Sequence, residues 1–226
     1  MILRLPAVLS AEQLATARAL LADAPWADGR VTAGYQSARV KENLQLPEEC
    51  EVAKKLRDLV LTALERNPLF ISAALPARVL PPLFNSYEVG MSFGAHIDNA
   101  VRQVTGTARR VRADLSATLF LSRPEEYDGG ELIVEDTYGA HAAKLAAGDM
   151  ILYPATSLHR VTTVTRGHRV AAFFWIQSMV RDDGQRSILF DLDRSIAELT
   201  QAAPDNPALV RLTGCYHNLI RRWAEP

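Results

Sequence analysis

Apolar residues recur at helical intervals through the first third of the chain and at strand-like intervals through the middle. Ser10 with Gln13 matches a capping box, and Leu14, Ala17 and Leu21 continue the pattern, which predicts a helix ending near Asp23. Trp26 and an Asp28-Gly29 turn signal lead into residues 30–36, read as a short strand. After Pro47, the residues Val52, Leu56, Leu59, Val60, Ala63 and Leu64 predict a long amphipathic helix over 48–66, stopped by Asn67-Pro68. From Leu69 onward short apolar runs rich in β-branched and aromatic residues alternate with Gly, Pro and Asp. They predict strands at 79–87, 92–96, 114–121, 131–135, 140–145, 150–153, 159–164 and 169–179, with turns at Asp128-Gly129-Gly130 and Ala147-Gly148-Asp149. Helical spacing returns at 186–200 and 208–223, divided by Pro204 and Pro207. Strands without intervening helices predict a mainly β fold with flanking helices, its core a double-stranded β-helix or jelly roll. The division that follows is a helical support at 1–77, the β domain at 78–178 and a helical extension at 179–226.

Composition narrows the function classes. The 226 residues, 48% of them hydrophobic, suffice for one substantial core with a small helical appendage. Twenty-five basic and 26 acidic residues leave a net charge of −1, so no global field directs the chain to nucleic acid or to a membrane. The start, MILRLPAVLS, is interrupted by Arg4 and Pro6, and no apolar run approaches ~18 residues, so a cytoplasmic protein is expected. Cys50 and Cys215 are unclustered and are expected as small core residues in a reducing compartment.

The candidate chemistry sits in NSYEVGMSFGAHIDN, residues 85–99. One residue separates His96 from Asp98, which an extended backbone points to one face. A third metal ligand is sought among His141, His159, His168 and His217. His159 fits best, because it lies in GDMILYPATSLHRV, where one apolar run ends at Pro154 and another strand begins near the histidine. Two imidazoles and one carboxylate match the facial triad of non-heme Fe(II) oxygenases, with positions open for a co-substrate and oxygen. Arg169 follows His159 by ten residues, with Thr165-Arg166-Gly167 between them as a hairpin loop. Paired that way, the two would share one face about 13 Å apart, a span for a dicarboxylate held by metal at one end and an arginine fork at the other.

The run YEVGMSFGAHID, followed by His159 and Arg169, resembles the Fe(II)/2-oxoglutarate-dependent dioxygenases of the prolyl 4-hydroxylase type, and among them the bacterial PKHD-type hydroxylases. The likeness covers about residues 78–178, and the helical tail is similar to the same bacterial group. It implies that His96, Asp98 and His159 bind iron, that Arg169 holds the C5 carboxylate of 2-oxoglutarate, that Tyr87 hydrogen-bonds the same co-substrate, and that ascorbate keeps the iron ferrous. It also implies hydroxylation coupled to decarboxylation of 2-oxoglutarate to succinate. No peptide-substrate groove is recognisable, so prolyl hydroxylation itself does not carry over.

Other readings stand beside this one. A protein sensing iron or 2-oxoglutarate, linked to iron homeostasis, would keep the site without turnover, and a cupin-like isomerase would lack use for Arg169. Tyr87 and Trp175 have core readings as well as site readings, His168 reads as structural, and His141 and His217 as surface or packing residues. The segment VRQVTGTARRVRAD, with Arg102, Arg109, Arg110 and Arg112, starts close to Asp98 and reads either as a mobile loop selecting an anionic small-molecule or protein substrate, or as a solvated basic loop. Leu209, Leu212, Tyr216, Leu219, Ile220 and Trp223 form an apolar stripe to be covered by the chain's own core or by a second copy in a homo-oligomer.

Overall fold

The computed structural model describes residues 1–32 and 39–225. After strand β1 (Leu3–Leu5) comes helix α1 (Ala11–Ala22), whose capping box forms as the sequence predicts. Ser10 Oγ accepts from the Gln13 amide at 3.2 Å, and Gln13 Oε1 accepts from the Ser10 amide at 2.9 Å. Short strands β2 (Ala27–Asp28), β3 (Lys41–Glu42) and β4 (Leu44–Gln45) follow. Most of the strand expected over 30–36 lies outside the described residues. Helix α2 (Glu51–Glu65) buries Ala53, Leu56, Val60, Ala63 and Leu64.

Asn67-Pro68, read as a stop, is also a start. Asn67 Oδ1 accepts from the Phe70 amide at 2.9 Å and Pro68 occupies the first turn of α3 (Pro68–Ala74), where a missing N–H costs nothing. The strand expected at 79–87 is two strands, β5 (Pro76–Val79) and β6 (Leu83–Tyr87), because Pro81-Pro82 cannot donate to a ladder. Then come β7 (Ser92–His96), β8 (Val101–Gln103), β9 (Arg110–Arg112), β10 (Leu115–Phe120), β11 (Tyr127–Gly129), β12 (Leu132–Asp136), β13 (Gly139–Ala143), β14 (Met150–Pro154), β15 (Leu158–Val161), β16 (Val164–Gly167) and β17 (Arg169–Ser178). Helices α4 (Asp183–Ala202) and α5 (Ala208–Trp223) finish the order. No described helix is long and apolar enough to cross a membrane.

The strands form antiparallel sheets. The larger runs β1-β14-β10-β17-β6-β4-β2, with β5 beside β17, and the smaller runs β13-β12-β15-β7-β3. On β10, Leu115, Ala117 and Leu119 face the helices and join Leu56, Val60, Phe70 and Phe174 in one core. The alternate residues of that strand face the smaller sheet, where Tyr87, Phe120, Ile151 and Tyr153 meet Leu132, Val134 and Val161 in a second core. The helical first third is therefore a buttress on the outer face of the larger sheet. At the other end, Tyr216, Leu219, Ile220 and Trp223 of α5 pack against Leu75, Val180 and Leu189, so the predicted stripe is largely met within the chain.

Three expectations are corrected. Residues 165–167 are not a hairpin loop, because β16 pairs with β11 in a separate ribbon, Tyr127 opposite Gly167. The chain uses that ribbon to pass from the smaller sheet to the larger, so His159 and Arg169 lie on different sheets. Secondly, the segment over 101–112 is a hairpin with Val101 opposite Arg112 and Gln103 opposite Arg110, not an unstructured loop. Thirdly, Cys215 is exposed beside the apolar stripe of α5, and Cys50 is half-buried, its Sγ accepting from the Ala53 amide at 3.4 Å at the start of α2.

The crossing into β17 depends on Gly167, whose φ is +72° and where a Cβ would stand 1.9 Å from the Glu126 carbonyl oxygen. Gly106 has a similar φ of +74° but open space around it. Gly106→Ala is expected to cost about 1–2 kcal/mol of left-handed strain alone, and Gly167→Ala about 1–3 kcal/mol more for the displaced backbone. Urea unfolding of both variants measures the difference. Equal losses would mean that the close approach at Gly167 is not maintained in solution.

Candidate metal centre and co-substrate cavity

His96 ends β7 and His159 sits directly opposite it on β15, while Asp98 follows β7 by two residues. One nitrogen from each ring and one carboxylate oxygen lie within 4.8 Å of one another. His159 Nε2 is 3.7 Å from Asp98 Oδ2. Each imidazole is oriented by its other nitrogen: His96 Nδ1 meets the Gly94 carbonyl oxygen at 2.8 Å, and His159 Nδ1 meets that of Ser157 at 3.0 Å. This leaves both Nε2 atoms for the shared centre, the arrangement expected of metal-binding histidines. Burial, then the neighbouring His159, lowers the His96 pKa to about 4, so the ring is neutral at pH 7 and suited to ligation. Phe93 stacks on His96 with ring centres 3.7 Å apart.

The larger sheet completes the site from the opposite side. Ser116 Oγ donates to Asp98 Oδ2 at 2.6 Å and fixes the carboxylate. Tyr153 stands edge-on to His159, ring centres 5.2 Å apart, and bonds Thr118; burial raises its phenol, which therefore stays protonated. Arg169 is 1% exposed, its guanidinium carbon 5.3 Å from the Tyr87 ring centre and 5.4 Å from that of Phe120. Arg169 Nε has no hydrogen-bond partner among the described residues. A buried N–H without a partner is costly, and a buried cation favours an incoming anion. Tyr87 lies opposite Arg169 in the β6–β17 register, and burial raises its phenol as well.

These groups line one cavity of about 740 Å³, open space included, between the two sheets. It brings together the five residues that the resemblance assigns to iron and 2-oxoglutarate: His96, Asp98, His159, Arg169 and Tyr87. Trp175, expected in the core, is both packed with Leu80 and Leu83 and part of the cavity wall. The other histidines stay out. His141 and His217 are exposed, the first bonded to Asp136 at 3.0 Å, and His168 is exposed with its carbonyl accepting from Ser122. Sequence reasoning missed Lys41, Asn85, Ser116, Thr118 and Tyr153. A signal existed for three of them, since Asn85, Ser116 and Thr118 are polar residues inside otherwise apolar strands.

Residues 82–177 match the 2OG-Fe(II) oxygenase superfamily, and residues 183–225 match the PKHD-type hydroxylase C-terminal domain. A PKHD-type hydroxylase of Saccharophagus degradans is 60% identical over 225 residues, all of both chains. The chain belongs to the PKHD-type hydroxylases. The PKHD-type hydroxylase PiuC of Pseudomonas aeruginosa is 58% identical, again over the full length of both. Among solved structures, a Pseudomonas putida prolyl-4-hydroxylase shares the fold at a TM-score of 0.53 and 17% identity, covering 78% of this chain and 92% of its own. This PKHD-type hydroxylase is thus an oxidoreductase that uses Fe(II), 2-oxoglutarate and molecular oxygen to hydroxylate a substrate.

Proposed function

We propose that His96, Asp98 and His159 hold the iron, and that Arg169 takes the far carboxylate of 2-oxoglutarate with Tyr87 as a second hydrogen-bond partner. The observation that carries this reading is the pairing of a tight His/Asp/His cluster with a buried arginine, whose Nε has no hydrogen-bond partner among the described residues, across one cavity. Iron bound there would supply oxygen activation coupled to decarboxylation of the 2-oxo acid. The protein's part is orientation. Gly94 and Ser157 carbonyls fix the imidazoles, Ser116 fixes the carboxylate, and Phe93 and Tyr153 shield the ligands from water. The protonated Tyr87 phenol can donate to a carboxylate oxygen, and the Arg169 fork can meet both oxygens at once.

The two facing sheets are read as a double-stranded β-helix at 78–178, between the support at 1–77 and the extension at 179–226. Ascorbate as the reductant that keeps iron ferrous, and a cytoplasmic setting in keeping with two free cysteines, belong to the same reading. The primary substrate, small molecule or protein, is taken to carry negative charge. Tyr216, Leu219, Ile220 and Trp223 of the α5 stripe are partly buried within the chain, and a homo-oligomer would cover the rest, Leu209 and Leu212 included. Titration with Mn(II), followed by the loss of the free-ion EPR signal, is expected to end at one ion per chain. No binding at protein concentrations of tens of micromolar would overturn the assignment of the triad.

A further inference from the structure

The cavity holds a second cationic region that iron and 2-oxoglutarate leave unused. Arg169, Phe173 and Trp175 point to one face of β17 by strand alternation, which sets the aromatic pair about 13–20 Å along the strand from the arginine. Phe173 and Trp175 meet edge to face, ring centres 5.6 Å apart. Two cations sit on these rings. Lys41, on the edge strand β3, has its ammonium 5.7 Å from the Phe173 ring centre and 5.6 Å from that of Phe93, the ring stacked on His96. Arg102, on β8, lays its guanidinium carbon 3.5 Å from the centre of the Trp175 ring.

Both cations line the same cavity as the His/Asp/His cluster, from the side away from Arg169. Lys41 is 3% exposed, and burial followed by the like charge of Arg102 lowers its pKa to about 8. Burial lowers Arg102 too. Among the described residues Arg102 has no ion-pair partner, whereas Arg112, on the facing strand of the same hairpin, is paired with Asp114 and Glu225. Arg109 and Arg110 are exposed and outside the cavity, so of the four basic side chains in this segment Arg102 alone faces the chemistry. Lys41 Nζ donates to Gln45 Oε1 at 3.0 Å, and the Asp98 carboxylate acts on both cations. Burial still lowers both, so a further anion placed between two cations on one poorly hydrated wall is favoured.

We propose that Lys41 and Arg102 form an anion subsite for the primary substrate, binding a carboxylate or phosphate group of the molecule to be hydroxylated. The proposal rests on the iron and 2-oxoglutarate reading, which leaves the region toward Phe93, Phe173 and Trp175 for that molecule. The aromatic walls suit a flat or apolar skeleton, and the two cations fix which end faces the iron ligands. Specificity here is orientation: the anion is anchored at one place so that one carbon is presented at another.

The test uses protein loaded with Mn(II) and saturated with 2-oxoglutarate, probed with inorganic phosphate and with carboxyl-labelled acetate. Relaxation enhancement of the phosphorus or carboxyl-carbon resonance by the bound Mn(II) is expected to saturate. In Arg102→Gln the apparent affinity for the better probe should fall at least about tenfold, in line with loss of one charge-assisted pair, while Mn(II) and 2-oxoglutarate affinities stay as in the parent. Arg102→Lys should recover part of the loss. Tryptophan fluorescence of metal-free protein reads the same phosphate or acetate titration, so a failure of Mn(II) to bind would sink the triad and still leave the subsite judged. Equal probe affinity in parent and Arg102→Gln would overturn the subsite. A parallel loss of 2-oxoglutarate affinity would also overturn it, by assigning Arg102 to the co-substrate.

Discussion

Asp98→Ala is expected to abolish both stoichiometric metal binding and turnover. The variant leaves two neutral imidazoles facing a hard divalent ion, and it also strands Ser116 Oγ, which donates to Asp98 at 2.6 Å. Even a disturbed outer partner of a metal ligand typically costs about 10–100-fold in affinity, so removal of the carboxylate itself should exceed that. Calorimetric titration with Mn(II) measures the affinity, and succinate release measures turnover. Mn(II) binding as tight as in the parent would remove Asp98 from the ligand set.

Arg169→Lys should separate co-substrate from metal. The charge is kept, but a single ammonium replaces a planar fork that can meet both carboxylate oxygens. A charge-assisted bidentate pair in a buried site contributes about 2–3 kcal/mol over a poor one, which is roughly 30–150-fold in 2-oxoglutarate affinity. Mn(II) affinity should change little, because Arg169 lies on the larger sheet and the three candidate ligands come from β7, β15 and the loop after β7. The apparent KM for 2-oxoglutarate in a succinate assay is the readout. A KM equal to that of the parent would move the clamp to another residue.

The candidate site was legible because its chemistry is local. His96 and Asp98 are two residues apart, and His159 opens a strand whose apolar pattern marks it. The position of Arg169 was legible only by its residue type. Its route was misread because Thr165-Arg166-Gly167 has turn composition, whereas the structure pairs Arg166 with Asp128 across the β11–β16 ribbon. Such pairing joins residues about forty positions apart, which no local spacing encodes. Helix α3 was hidden for a related reason: seven residues, apolar but for Ser72, are too few to show an amphipathic period, and packing against α2 and α4, with Phe70, Ala73 and Ala74 in the core, supplies their stability instead. Lys41 could not have been found, since its place in the cavity comes from an edge strand of two residues opposite Phe93.

The hairpin that carries Arg102 is fastened at its base by residues from the far end of the sequence. Arg112 pairs with Asp114 and reaches Glu225, Asp114 accepts from the Ser178 amide at 2.9 Å, and the Glu225 amide bonds the Met179 carbonyl at 2.7 Å. Val180 and Ala224 form a β-bridge just beside this knot. The helical extension therefore acts as a strap whose buckle is at the base of the hairpin that carries Arg102. Anyone transplanting the catalytic sheets into another scaffold, or exchanging segments between relatives, would be moving an incomplete part if the cut fell at Ser178. The transferable unit runs through Glu225.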